Sequence, residues 1–355
     1  MSLRLGILTG GGDAPGLNAV IRAVVKHGVG ELHWQLVGIE DSFNGLLSYP
    51  RRLSILDLPA CKGILHRGGT ILGTTNRGDP FHYPEPGGGF TDRSAELAEA
   101  IRDEGLEGLI VIGGDGTQKI GLRLMKEHDI PVVGVPKTID NDLSATDYTF
   151  GFMSAVDVAT EALDRLHSTA EAHERVMILE VMGRDAGWIA LYAGIAGGAD
   201  CIVLPEIPYD PELLVRKIMR RRGLGRPFTL IVIAEGAVPK AGPEEHAVPQ
   251  VGGGKAGYAL AAALSDRTDA DIRVTVLGHL QRGGGPIPFD RILATRLGVG
   301  AVELIRQGRW GEMVRLRDGH IDGVSIEEAV ATYRLVDPEG ELVRTARAVG
   351  IEFGG

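Results

Sequence analysis

Four segments of the 355-residue chain combine residue types and spacings suited to phosphate chemistry. Gly10-Gly11-Gly12-Asp13-Ala14-Pro15-Gly16 follows the apolar run Leu5–Thr9 and precedes a helical pattern from Leu17. Glycines let backbone N–H groups approach an anion, and a helix N-terminus favours negative charge. Gly113-Gly114-Asp115-Gly116-Thr117 follows the apolar Leu109–Ile112. A carboxylate set between glycines at a strand end suits a magnesium ion beside a phosphate chain. Pro136-Lys137-Thr138-Ile139-Asp140-Asn141-Asp142 places two carboxylates two residues apart after Val132–Val135, a pattern for a general base and a helper. The same letters also spell an ordinary Asx-rich turn. Finally, Arg175, Arg184, Arg273 and Arg282 flank apolar runs, with Gly183, Gly278 and Gly283 beside them. Guanidinium groups there suit bidentate phosphate binding, although any one alone reads as a solvated charge.

Such residues need rigid elements to hold them. Strand candidates are Leu3–Leu8, Leu36–Ile39, Leu109–Ile112, Val132–Val135, Val176–Val181, Ile202–Leu204, Thr229–Ala234 and Val274–Leu277. Most are apolar at successive positions, as parallel strands covered on both faces require. Amphipathic stretches at Ala95–Asp103, Ile120–Glu127, Ala155–His167 and Pro211–Arg221 alternate with them, which predicts an α/β fold. Ligands of such folds sit at the carboxyl ends of strands, where the glycine-rich segments fall. Gly252-Gly253-Gly254-Lys255 lacks the spacing of a phosphate loop and reads as surface loop. A boundary near residue 150, a return to the first domain over about 270–308 and a helical extension over 309–355 complete the expected organisation.

Composition limits the partners. Asp and Glu total 47 against 37 Lys and Arg, a formal charge of −10, which argues against nucleic acid or an acidic membrane surface as partner. Two cysteines, Cys61 and Cys201, are too few for a disulfide framework, and the opening residues run straight into a strand-like segment. A cytoplasmic setting is the expectation. The 52 glycines, about twice the usual share, predict many tight turns and backbone-lined sites in a folded chain.

Taken in order, the segments resemble the 6-phosphofructokinase family, and most closely its bacterial ATP-dependent branch. The resemblance runs from Leu3 to about Gly308 and includes Arg67–Gly73, Asp147–Phe152, Ala193–Gly198 and Pro288–Ala294. It implies two similar three-layer α/β domains with mainly parallel sheets and the active site in the cleft between them. The nucleotide-binding domain would take 1–150 and about 270–308, and the fructose 6-phosphate domain 151–269. It further implies transfer from MgATP to the 1-hydroxyl of fructose 6-phosphate, a glycolytic step. Asp140 would be the general base, with Thr138 and Asp142 beside it and Lys137 and Arg184 near the transferred group. Asp115 would be associated with Mg²⁺. Gly11, Gly12, Arg77, Gly114, Gly116 and Thr117 would line the nucleotide. Thr138, Ile139, Met182, Gly183, Arg184, Glu235, His279, Leu280, Gln281 and Arg282 would hold the sugar phosphate. Arg175 and Arg273 would arrive from a neighbouring subunit, so a homotetramer or homodimer is expected.

Some alternatives stay open at this level. Gly116 matches ATP users, whereas Lys137 matches pyrophosphate users, so a reversible pyrophosphate-dependent enzyme is the rival. A non-catalytic sugar-phosphate-binding subunit is a rival of another class. The Gly113–Thr117 segment is shared with NAD and diacylglycerol kinases, but those have no use for Arg175 or His279–Arg282. The family's nucleotide-contacting arginine falls on Asn76 without a gap and on Arg77 with one. Arg22 and Lys26 lie where effectors bind in relatives, and Arg220–Arg222 with Arg226 loosely match a second effector segment; both sets read equally as solvated faces.

Overall fold

The computed structural model describes residues 2–240 and 255–355; Gly252–Gly254 lie outside the described residues. The chain begins β1 (Arg4–Thr9), α1 (Leu17–Gly28), β2 (Gln35–Ile39), α2 (Asn44–Leu47), β3 (Leu53–Ile55), β4 (Tyr83–Pro84), β5 (Phe90–Thr91) and α3 (Ser94–Asp103). There follow β6 (Gly108–Gly113), α4 (Asp115–His128), β7 (Val132–Pro136), α5 (Phe152–His173), β8 (Val176–Val181), α6 (Trp188–Ala196) and β9 (Cys201–Val203). It continues with α7 (Pro211–Gly223), β10 (Thr229–Ala234), α8 (Lys255–Ser265), β11 (Ile272–Val276), a 3-10 turn at Gly278–Arg282 and α9 (Pro288–Arg306). The hairpin β12 (Glu312–Arg317) and β13 (His320–Ser325), then α10 (Ile326–Ala329) and α11 (Glu341–Ala348), close the chain.

Two compact units result. The first comprises residues up to Thr138, Leu143–Met153 and Arg282–Tyr333. Its sheet runs β13-β12-β7-β6-β1-β2-β3, parallel from β12 to β2 and antiparallel at the β2–β3 and β12–β13 pairs. The continuous apolar runs are explained by burial of both faces. Leu5, Ile7, Ile110, Ile112, Val133 and Val135 pack with α1 and α9, while Leu8, Leu109, Val111 and Val132 pack with α3. Each alternate side chain thus enters a different core layer.

The second unit comprises Ile139–Asp142, Ser154–Gln281 and Arg334–Gly355, with the parallel order β11-β8-β10-β9. Val176, Ile178, Cys201, Val203, Ile231 and Ile233 face α7 and α8 across one buried layer. Among the described residues, no helix is long and apolar enough to cross a membrane.

Two expected boundaries differ. The segment from 270 does not return at once to the first unit: β11 pairs with β8, in register Ile272 to Val176, and the crossing falls at Arg282. Nor is 309–355 a helical appendage. Asp318 and Gly319, at φ 49° and 79°, form the two-residue turn of a hairpin in which Arg317 pairs with His320. This hairpin covers the open edge of β7, with Met313 opposite Gly134. In the second unit the terminus pads β9, where Ile202 donates to the Glu352 carbonyl at 2.9 Å. Edge strands otherwise expose unpaired N–H and C=O groups, so each sheet has one edge shielded by this segment.

Met313 is fully buried between β7 and α3's layer. Met313→Ala should therefore cost about 2–5 kcal/mol, read as a lower midpoint in urea unfolding; an unchanged midpoint would mean that the hairpin is peripheral.

Candidate active site

In the first unit, β1 leads through α1 to β2 on one side, and β6 leads through α4 to β7 on the other. The chain leaves these adjacent strands in opposite directions, the topological switch point at which open α/β sheets bind ligands. Gly10–Gly16 and Gly113–Asp115 meet there, with Gly10 N–H donating to the Ile112 carbonyl at 2.9 Å. Thr117 is buried beneath both turns, and a Cβ at either Gly10 or Gly113 would collide with it. Those two glycines are therefore fixed by packing.

Gly116 is different. It is exposed, and a Cβ built on it meets nothing within 4 Å. No neighbour explains its missing side chain, and the opening lies on the first turn of α4, where backbone N–H groups attract anions.

Asp115 begins α4, its side chain 14% exposed, and its Oδ2 accepts from Lys119 Nζ at 2.9 Å and Tyr333 Oη at 2.8 Å. The hydrogen bond to Asp115 raises the Lys119 pKa above its ordinary value, so that side chain stays cationic. Among the described residues no three His, Cys, Asp or Glu side chains cluster as a metal cage. One carboxylate beside an open phosphate cradle is the donor set that magnesium accepts when substrate phosphates and water supply the other ligands. The residues fit a nucleotide-borne ion.

Lys137 is buried, and its Nζ donates to the Gly12 carbonyl. This puts a cation directly on the glycine loop. Thr74 Oγ1 donates to the Gly11 carbonyl at 2.6 Å, and Gly11 N–H to the Thr75 carbonyl at 3.1 Å. Asn76 and Arg77 are both exposed, and Asn76 Oδ1 lies 3.9 Å from a Cβ built on Gly11. Arg282, expected among the sugar-phosphate residues, donates to the Asp13 carbonyl at 3.0 Å and lies over Gly12. A guanidinium takes whatever acceptor is near, and here it is a loop carbonyl. Thr138 is buried, and its carbonyl accepts from Thr149 Oγ1 at 2.7 Å.

In the second unit, β8 leads through α6 toward β9 while β10 leads through α8 to β11, so a second switch point lies between β8 and β10. Met182, Gly183 and Arg184 leave β8 there, next to Glu235 after β10. The Arg184 N–H donates to Glu235 Oε1 at 2.9 Å, and the Arg184 side chain is 68% exposed. His279 and Leu280 follow β11, on the other side of β8, and are exposed. Gln281 behaves otherwise: its side chain is fully buried and donates to the Gly278 carbonyl at 3.2 Å, bracing the turn. Ile139, Asp140 and Asp142 are buried around Asn141, which has the left-handed φ of 53°.

Arg175 and Arg273 do not join Arg184. They stand at the amino ends of β8 and β11, both on Asp271: Arg175 Nε at 2.6 Å from Oδ2, and Arg273 Nη1 on Oδ1. Six strand residues separate Arg175 from Met182, roughly 20 Å at about 3.3 Å per residue. One copy of this unit cannot bring both ends to one small ligand.

Sequence reasoning missed Gln118. Fully buried, its Nε2 reaches the carbonyls of Val111, Gly113 and Val135 at 3.0–3.2 Å, tying the ends of β6 and β7 together. The signal was its place three residues after Asp115, on the inward face of α4. Tyr333 and Asp271 gave no local signal.

The family model described as phosphofructokinase matches residues 4–305. The chain is 48% identical over 354 residues to "ATP-dependent 6-phosphofructokinase 1" of Synechocystis, covering 99% of this chain and 98% of that protein. It is 51% identical to the "ATP-dependent 6-phosphofructokinase" of Chloroflexus aurantiacus at the same coverage. A solved phosphofructokinase from Saccharomyces cerevisiae superposes with a TM-score of 0.79 at 30% identity, over 93% of this chain and 45% of that one. A pyrophosphate-dependent phosphofructokinase from Marinobacter aquaeolei reaches 0.80 over 99% of this chain and 92% of that one, at 21% identity, and so shares the fold.

The two kinds of glycine should separate on substitution. Gly113→Ala meets Thr117 and should lose about 1–3 kcal/mol, whereas Gly116→Ala should stay level or gain up to about 1 kcal/mol, both read by urea unfolding.

Proposed function

The chain belongs to the phosphofructokinase family, and on that premise we propose that it transfers the γ-phosphoryl group of MgATP to the 1-hydroxyl of fructose 6-phosphate, giving fructose 1,6-bisphosphate and ADP. The observation that carries the choice of donor is the open surface at Gly116, beside Asp115 at the start of α4. An aspartate side chain at 116 would fill that space with negative charge; glycine leaves it to a nucleotide's phosphates.

In this reading Asp140 takes the proton from the sugar's 1-hydroxyl as the oxygen attacks phosphorus. Its burial limits the water that could compete with the sugar hydroxyl for the carboxylate. Thr138 and Asp142 hold it in place, and Ile139 contributes backbone to the substrate's side. Lys137 and Arg184 spread the negative charge that grows on the transferred group. Gly11, Gly12, Gly114, Gly116 and Thr117 line the nucleotide's phosphates, and exposed Arg77 is the cation assigned to them. Magnesium, when bound with the nucleotide at Asp115, supplies charge neutralisation along the phosphate chain. Met182, Gly183, Glu235, His279, Leu280, Gln281 and Arg282 hold the sugar phosphate, Gln281 through the turn it braces. Arg282 exchanges the Asp13 carbonyl for a phosphate oxygen, a stronger acceptor for a guanidinium.

Arg175 and Arg273 belong, in this reading, to the site of a neighbouring copy, because their own unit holds them at the far end of its sheet. An exposed apolar stripe on α9, Phe289, Ile292 and Val299, supports self-association into a homodimer or homotetramer. Both thiols are free and buried, and burial pushes that of Cys61 up to about 11 and that of Cys201 further still, so both stay protonated and unreactive.

Lys137 favours one second reading, reversible transfer from pyrophosphate, since it is the residue that pyrophosphate users carry. A coupled assay of the purified protein with each donor decides: turnover with ATP and none with pyrophosphate is expected, and the reverse overturns the proposal. Asp140→Ser should lower turnover by about 10²–10⁴ while fructose 6-phosphate still binds; near-normal turnover would remove Asp140 from the role of base.

Sharing of sites between copies has its own test. Arg273→Ala and Asp140→Ser homo-oligomers should each be nearly inactive, and mixing them after mild dissociation should restore activity in the hybrids. Hybrids as inactive as their parents would place Arg273 in the service of its own chain.

A further inference from the structure

The hydrogen bonds on Asp115 come from very different distances along the chain. Lys119 is one helical turn away, a pairing that any i,i+4 spacing offers. Tyr333 is 218 residues away, beyond the hairpin that ends the first unit's sheet. Its delivery is built in several places. Lys126 Nζ of α4 bonds Glu327 Oε1 of α10 at 2.8 Å, Ser144 Oγ and Thr332 Oγ1 lie 2.9 Å apart, and Leu143 pairs with Tyr333 as an antiparallel bridge. The segment is docked along the helix that Asp115 begins. Yet the Tyr333 residue itself is 50% exposed, so burial of the ring does not account for its placement.

Both donors fall on the same oxygen. Lys119 Nζ and Tyr333 Oη each reach Oδ2, and the Lys119 ammonium also lies 5.6 Å from the centre of the Tyr333 ring. An aspartate χ2 is broad and two-fold, so a carboxylate at a helix start is not oriented by its own rotamer preference. Two donors on Oδ2 set its plane and turn Oδ1 away from them. That matters because a divalent cation beside substrate phosphates is held through few protein oxygens, and a misoriented one loses the contact.

We propose that Tyr333 is a positioning residue for Asp115: its hydroxyl holds Oδ2 so that Oδ1 is presented to the divalent cation of a nucleotide complex. The inference rests on the reading of Asp115 given above. It also assigns part of the segment after Gly308 to the donor half of the reaction.

The test is direct binding of ADP to the full-length protein by calorimetry, once with Mn²⁺ and once in EDTA, for wild type, Tyr333→Phe and Asp115→Asn. Tyr333→Phe removes one oxygen from a half-exposed ring and should leave the unfolding midpoint unchanged. It should weaken MnADP about three- to tenfold, a scale set by the net contribution of one ordinary hydrogen bond, while metal-free ADP stays within about twofold. Equal losses with and without metal would make Tyr333 a merely structural support and overturn the proposal. Unchanged or tighter MnADP binding would overturn it too, the latter by making the tyrosine a competitor of the cation. If Asp115→Asn weakens MnADP but Tyr333→Phe does not, only the role of Tyr333 falls. If Asp115→Asn binds MnADP as wild type does, the metal reading of Asp115 falls as well.

Discussion

Parallel strands buried on both faces leave their own sides no room for chemistry. In β1, β6, β7, β8 and β10 nearly every side chain enters a core layer, so polar groups must be carried at the strand ends. The loops there are held by backbone bonds such as that from Gly10 to Ile112 and by the Gln118 amide, whose two N–H groups are shared among the carbonyls of Val111, Gly113 and Val135. An unsatisfied carbonyl at that depth is costly, so the phosphate loops are as rigid as the sheet that feeds them. Preorganisation of this kind suits phosphoryl transfer, which asks for placed charge more than for covalent chemistry.

The same constraint sorts the charges. The chain is acidic overall, at −10, but the strand ends carry Lys137, Arg184 and Arg282, each beside glycine or loop carbonyls. Other cations sit on carboxylates: Lys119 on Asp115 one helical turn away, and Arg175 and Arg273 both on Asp271. Asp271 holds its two arginines at the amino end of the sheet, where one copy of the second unit has no use for them.

Legibility in the sequence followed the range of the interactions. Strand positions were plain because two-sided burial writes continuous apolar runs, and Val176–Val181 and Thr229–Ala234 form strands over those same residues. The carboxyl-end loops were plain because glycine marks them, although composition could not say which glycines answer to packing, as Gly10 and Gly113 do to Thr117, and which leave space, as Gly116 does. The hairpin after Gly308 was missed even though Asp318-Gly319 is a strong turn signal. Its strands carry many charges, which reads as a solvated helix until β7 is seen to need an edge partner.

From the residues alone came the α/β class, the strand-end loops and the types of group that serve a phosphoryl transfer, because each is encoded within a dozen neighbouring positions, and the family came from the order of those segments along the chain. Only the tertiary structure decided that Gln281 is a brace, that Arg282 lies over Gly12, that β11 belongs to the second sheet, and that Tyr333 reaches Asp115. These depend on which backbone passes which, across up to 269 positions of chain. Periodicity fixes which face of an element is buried, but the partner on that face is chosen by packing and by the carbonyls and N–H groups that remain to be satisfied.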